Sequence, residues 1–177
     1  VDIKQDEIKE VKKIGTLHGS EVKLVTLKGG FHIGMGKKGK KSKKSEILAV
    51  GSHPALVSHQ ISKKHTNFEQ AMAKNEADAL PSVTDYSHNL SSTEKSVRGL
   101  DIFAMKKNEK IEFQVTKHNF EIFSIQASEC DGQIVLEKTS KNEEMLASLN
   151  KQELSKKLTK SIKEYAKEHD LKIKKNF

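Results

Sequence analysis

Residues 110–116, Lys-Ile-Glu-Phe-Gln-Val-Thr, and residues 120–126, Phe-Glu-Ile-Phe-Ser-Ile-Gln, decide the fold class. In the first stretch Ile111, Phe113 and Val115 share one face while Glu112, Gln114 and Thr116 share the other, the period-two pattern of a half-buried strand. Lys117-His118-Asn119 turns the chain, and the second stretch is apolar on both faces, as a central strand must be. Asp131-Gly132 then marks a second tight turn before Gln-Ile-Val-Leu-Glu-Lys-Thr at 133–139. Asp-Gly suits such a turn because both positions take a positive φ at low cost.

The same alternation extends upstream. Glu21–Leu27 alternates, Lys28-Gly29-Gly30 supplies a hairpin turn, and Phe31–Gly36 follows as its partner. Ser45–Val50 reads as another strand, and 81–93 as a short strand running into a polar loop. Residues 1–18 are open to two readings. Ile3, Ile8, Val11 and Ile14 can line a helix, whereas Glu10–Leu17 also suits a strand. Between Ser52 and Gln70 the pattern is mixed, with Ile61 and Phe68 the best core candidates. Residues 71–80 have helical composition but lie between turn residues.

After Thr139 the period changes. Ser140 with Glu143, and Asn150 with Glu153, match the capping-box spacing. Leu154, Leu158, Ile162 and Tyr165 fall on one helical stripe, and burying each would stabilise docking by roughly 1.5–3 kcal/mol. The expected architecture is mainly β: an antiparallel β-sandwich over 21–139, an N-terminal segment over 1–20 and a C-terminal helical extension over 140–177.

Composition narrows the function. The 177 residues suit one domain plus an appendage. Apolar residues make up 34% and aromatics 5%, with no Trp, so the core is small and aliphatic. The net charge of +8 is carried by lysine, since Arg98 is the only arginine. A lysine ammonium is a mobile point charge, without the rigid fork that grips phosphate bidentately. Cys130 is the only cysteine, so no intrachain disulfide forms, which fits a reducing, cytoplasmic compartment. No apolar run is long enough to span a bilayer. Val1 opens the chain without a signal-like stretch, compatible with a processed exported form as well as with a trimmed chain.

Few patterns carry chemistry. Gly34–Gly39, Gly-Met-Gly-Lys-Lys-Gly, matches a dinucleotide-binding spacing but leads into lysines and a strand, with no helix to hold a pyrophosphate. His53, His59 and His65 recur every six residues and do not converge on one ion in helix or strand. Cys130 has no cationic neighbours in the sequence to activate it. No nucleophile elbow, paired-carboxylate motif or zinc signature occurs. The expectation is therefore a non-enzyme with no cofactor and no metal. The conspicuous surface feature is Lys37, Lys38, Lys40, Lys41, Lys43 and Lys44, six lysines in eight residues. Such a loop attracts phosphates, although without the arginines or aromatics of base-reading modules.

Four motifs in order resemble a forkhead-associated domain. Phe31–Gly36 is similar to the strand ending in Gly-Arg, and Ser62 with His65 matches its Ser-x-x-His. Ser87, Asn89 and Ser91 resemble the third loop, and Met105–Ile125 looks like the two closing strands. The resemblance implies a β-sandwich that binds phosphothreonine peptides through loops at one end. It would place Ser62 and Lys63 on phosphate and Asn89 and Ser91 in the neighbouring loop, with His65 bracing. Two positions depart from the pattern: Met35 stands for the arginine, and Leu90 for a glycine. The expected function is a non-catalytic protein–protein interaction module, whose partners can include phosphorylated peptides if lysines replace the arginine. The alternative is binding of nucleic acid or another anionic polymer through the lysine loop.

Overall fold

The computed structural model describes residues 4–71, 82–87, 99–141 and 151–174, with backbone only at 138–141 and 151–153. The described residues are mainly strand, with two helices among them. The chain divides into two compact units, Val1–Leu80 and Pro81–Phe177. The body expected over 21–139 thus draws on both.

In the first unit the ambiguous N-terminus is extended. β1 (Ile8–Leu17) pairs antiparallel with β2 (Ser20–Leu27) through a two-residue turn at His18-Gly19. Both turn residues have positive φ, 52° and 77°, the conformation whose twist matches that of the flanking strands. β3 (His32–Gly36) follows the anticipated turn near Gly30, and β4 (Glu46–Gly51) pairs with β3 across the lysine loop.

α1 (Pro54–Lys64) then crosses this sheet, where sequence reading found no clear period. Pro54 at its start loses no hydrogen bond there and presets the backbone for a helix. Leu56, Val57 and Ile61 are fully buried, each contributing roughly 1.5–3 kcal/mol of docking. What admits the helix is glycine. A Cβ on Gly34 would lie 2.7 Å from Ile61 Cδ1 and 2.9 Å from Val57 Cγ1. The first glycine of the Gly-Met-Gly stretch is therefore a packing contact for α1, with the helix laid over the strand instead of following it. Ile14, Leu17, Val22, Leu24, Leu48 and Ala49 complete the core, with Phe68 against it. β5 (Glu69–Gln70) closes the unit by pairing with Gly15 and Thr16 of β1.

The second unit is a meander. β6 (Ser82–Asp85), β7 (Leu100–Lys107), β8 (Lys110–Lys117), β9 (Phe120–Cys130) and β10 (Gln133–Lys141) pair antiparallel in chain order. The turns foreseen at His118-Asn119 and Asp131-Gly132 both form with positive φ at each position. β9 is flanked by β8 and β10, the central place its two apolar faces required.

The antiparallel expectation fails at one strand. β11 (Lys172–Lys174) pairs parallel with β10, so the sheet is mixed. Parallel neighbours need a crossover, and α2 (Lys151–Glu168) lies between the two in the chain. Leu154, Leu158, Ile162, Tyr165 and Ala166 are buried in the core of this unit, so the helix is part of that core. Asp170 enters the left-handed region at φ 54°, and Leu171 N–H reaches back to Ala166 O at 2.7 Å. This ends α2 in a helix-stop geometry and turns the chain into β11.

Candidate functional site

The first unit gathers its basic residues at one end of the sheet. β2 and β3 pair Lys23 with Met35 and Leu24 with Gly34. Continued past the strand, that register sets Lys37 opposite Glu21 and Lys38 opposite Ser20, beside the His18-Gly19 turn. α1 runs toward the same end. Leu56 packs at Gly51, while Ile61 packs at Gly34, two residues before Gly36. Since Gly51 pairs with His32 and Gly36 with Glu46, the last turn of α1 approaches the foot of the lysine loop.

Three segments therefore meet here: the β1–β2 turn, the β3–β4 loop and the end of α1. Lys38, Lys40, Lys41, Lys43 and Lys44 are exposed and Lys37 half-buried. Ser42 N–H bonds to Gly39 O at 3.1 Å, and its hydroxyl donates to Lys44 O at 3.2 Å, so the loop contains a turn of its own. None of the six loop lysines is paired with a described carboxylate. Glu21, at this end of β2, is instead 3.9 Å from Lys13 of β1.

Ser62, Lys63 and Lys64 are exposed on the final turn of α1, and His65 caps it, its N–H bonded to Ile61 O at 2.8 Å. Burial holds the His65 imidazole below its ordinary pKa, and Lys64, His18 and Lys38 push it further the same way. That electrostatic signature agrees with the register: loop, turn and helix end are neighbours. His32 and His53 mark the opposite end. Burial lowers the His32 pKa most, followed by His53 and Lys12, while Thr26 Oγ1 lies 3.0 Å from His32 Nδ1.

The sequence-derived site is only partly described. Ser62 and Lys63 stand on a helix, where the forkhead-associated resemblance implies a loop. Asn89 and Ser91 lie outside the described residues. Ser87 holds strands together, since its hydroxyl accepts from Ile102 N–H at 3.2 Å and so joins the end of β6 to β7. His53 and His65 cap opposite ends of α1, about 18 Å apart at roughly 1.5 Å per residue, and no metal-ligating group of three occurs among the described residues. Cys130 is exposed beside the Asp131-Gly132 turn. No described helix is long and apolar enough to cross a membrane.

Sequence reading missed the participation of His18 and the inclusion of Lys38, Lys64 and His65 in one cluster. The His18-Gly19 dipeptide was the available signal, since a histidine tolerates the left-handed region better than β-branched residues do.

In the second unit the polar groups serve the helix. Tyr86 hydroxyl donates to Glu168 Oε2 at 2.8 Å, and burial together with that carboxylate raises its pKa well above the phenol range. Tyr165 stacks on His169 with ring centroids 4.1 Å apart and meets Phe113 edge-on at 5.5 Å. Lys106 pairs with Glu129 at 2.8 Å. The Tyr86–Glu168 and Phe113–Tyr165 contacts hold α2 to the sheet, whereas Lys106–Glu129 links β7 to β9.

No family model, curated protein or solved structure matches this chain.

Proposed function

We propose that this chain is a non-catalytic protein-interaction module that engages an acidic or phosphorylated partner through the lysine-rich end of its first unit. The observation that carries this reading is the convergence of the β3–β4 loop, the β1–β2 turn and the last turn of α1 on one basic surface. Attraction between exposed charges is individually weak, about 0–1 kcal/mol per pair. Several lysines acting together supply steering and modest affinity that salt screens.

Recognition of bases in a nucleic acid is the less favoured alternative. It draws on arginine forks or stacked aromatics, and this end of the unit offers neither. Phe31 is exposed but sits in the turn between β2 and β3, at the far end of the strands, and Phe120 belongs to the second unit. The forkhead-associated sandwich is supported by motif order alone, with Ser62 and Lys63 its representatives on the basic surface.

The test is a titration of the full chain with acidic, phosphothreonine and unphosphorylated peptide libraries, repeated with Lys38, Lys40, Lys41 and Lys43 changed to Gln. Charge-dependent capture that the variant weakens by about tenfold or more supports the reading, as several weak pairs together imply. Equal capture by both proteins would refute it. Stronger binding to single-stranded nucleic acid than to any peptide would favour the alternative.

A further inference from the structure

We propose that His18, Lys38, Lys64 and His65 form a seat for a phosphate monoester within the basic end of the first unit. This inference rests on the partner class proposed above and assigns the residues that would read it. They come from three separate segments, and the fold holds the backbone of His18 and of His65 in place. His18 occupies the first position of a two-residue turn at φ 52°. His65 is tied on both sides: its N–H bonds to Ile61 O, and its carbonyl accepts from Phe68 N–H at 3.1 Å. Phe68 in turn lies over Gly15, where an added Cβ would come within 2.6 Å of its ring. The segment carrying His65 is thereby fastened to the strand that leads into His18.

One atom of the cluster is buried and unsatisfied. His18 Nδ1 is buried without a hydrogen-bond partner among the described residues. Buried polar atoms are nearly always satisfied, and a water or ion is an ordinary partner for such an exception. Ordinary structural roles explain part of the cluster. Lys63 and Lys64 complement the negative end of the α1 dipole, and a turn explains the backbone of His18. Neither explains why basic groups from three segments gather at one end of the sheet.

The surrounding charges favour an anion. Lys64, His18 and Lys38 all oppose a proton on His65. Of the carboxylates on the adjoining strands, Glu21 is engaged by Lys13, while Glu46 and Glu69 stand exposed at the start of β4 and in β5. The α1 C-terminus itself works against an anion by about 0.3–1 kcal/mol, which two ammonium groups outweigh. A phosphate monoester is nearly a dianion near neutral pH and presents three acceptor oxygens, matching two ammonium and two imidazole donors clustered in one place. A diester carries one charge and continues in both directions, so it suits an extended track better than this cluster.

The decisive experiment follows the histidine ring resonances of the isotope-labelled full chain by NMR. Blocked phosphothreonine, inorganic phosphate and dimethyl phosphate are added separately at constant ionic strength. The expected result is saturable movement of the His18 and His65 signals with the two monoester-type probes, and little with the diester. The His65 titration should move to higher pH when either is bound, because a dianion stabilises imidazolium. Changing Lys38 and Lys64 together to Gln should weaken the apparent Kd by about tenfold while backbone amide signals elsewhere stay in place. Non-saturating shifts, equal response to the diester, or unchanged affinity in the double variant would each overturn the seat. Persisting capture of peptides by the loop lysines, with no monoester response at His18 and His65, would overturn the seat and leave the broader reading standing. Loss of both would remove both.

Discussion

Replacing Gly34 by Ala tests the packing that organises the first unit. The added methyl would sit 2.7 Å from Ile61 Cδ1 and 2.9 Å from Val57 Cγ1, well inside normal carbon–carbon contact. In an unconstrained strand the change would be favourable by about 0.5–1 kcal/mol, because glycine loses more backbone entropy on folding. Overpacking a filled core costs about 1–3 kcal/mol. The balance runs from about zero to a net loss of about 2.5 kcal/mol, read from the urea midpoint by circular dichroism with an unchanged slope. Ile61→Val removes the nearer offending atom and by itself costs about 0.5–1.5 kcal/mol. The double variant should therefore be more stable than the sum of the singles by about 0.5–1 kcal/mol, since residues in contact couple. A Gly34→Ala protein clearly more stable than the parent, or strictly additive singles, would refute the close approach of α1. Impaired anion binding at undiminished stability would return Gly34 to a ligand-approach role.

Three further outcomes follow from the geometry. Tyr86→Phe should cost about 1.5–3 kcal/mol by chemical denaturation, the range for a hydrogen bond to a charged group, since it removes the 2.8 Å bond to Glu168; no loss would mean that this bond does not anchor α2. Ile162→Ala should cost about 2–5 kcal/mol, because the side chain is 5% exposed within the second core, and a loss within 0.5 kcal/mol would contradict the docking of α2. His65 and His32 lie below their ordinary pKa of 6.5 in the folded chain, so the unfolded chain binds more protons as the pH falls through that value. Stability should decline there and level off below the depressed folded values, measured as Tm between pH 7.5 and 5; a decline that survives His32→Gln with His65→Gln would assign it to other groups.

How much was legible depended on how local the cause was. The His118-Asn119 and Asp131-Gly132 turns, and the alternation of Ile111, Phe113 and Val115, are decided within a few residues, so β8, β9 and β10 could be read directly, whereas β7 was not read. The stripe Leu154, Leu158, Ile162 and Tyr165 was equally plain because its spacing alone defines a face. α1 was not legible: Ala55, Leu56 and Val57 are consecutive, and only Ile61 repeats at helical spacing from Val57. The reason it is a helix in place is tertiary, in the room that Gly34 and Gly51 leave. β11 has one apolar residue, Ile173, between two lysines, and its parallel partner lies across a whole helix. The basic cluster was missed for a related reason. Lysine run, histidine turn and helix end are far apart in the chain, and only the β2–β3 register and the direction of α1 bring them together.

That same register explains why the missing arginine of the forkhead-associated pattern is the wrong place to look for anion chemistry here. Gly34 and Gly36 face the core of the first unit, toward Ile61 and Val57 in one case and Leu48 and Val22 in the other. Met35 alternates with them and so projects from the opposite face of β3, away from α1. An arginine at 35 would therefore leave the face that α1 covers, on whose outer side Ser62 and Lys63 stand exposed. The positions that can approach the end of α1 lie beyond the strand, where the face constraint ends. Lys38 is the first exposed residue past Gly36, and it is the loop lysine whose charge His65 senses. Placing an arginine at this position as Met35→Arg should accordingly leave anion affinity within about twofold of the parent, a change of about 0.4 kcal/mol or less. A tenfold gain would place residue 35 beside the site and undo this geometry.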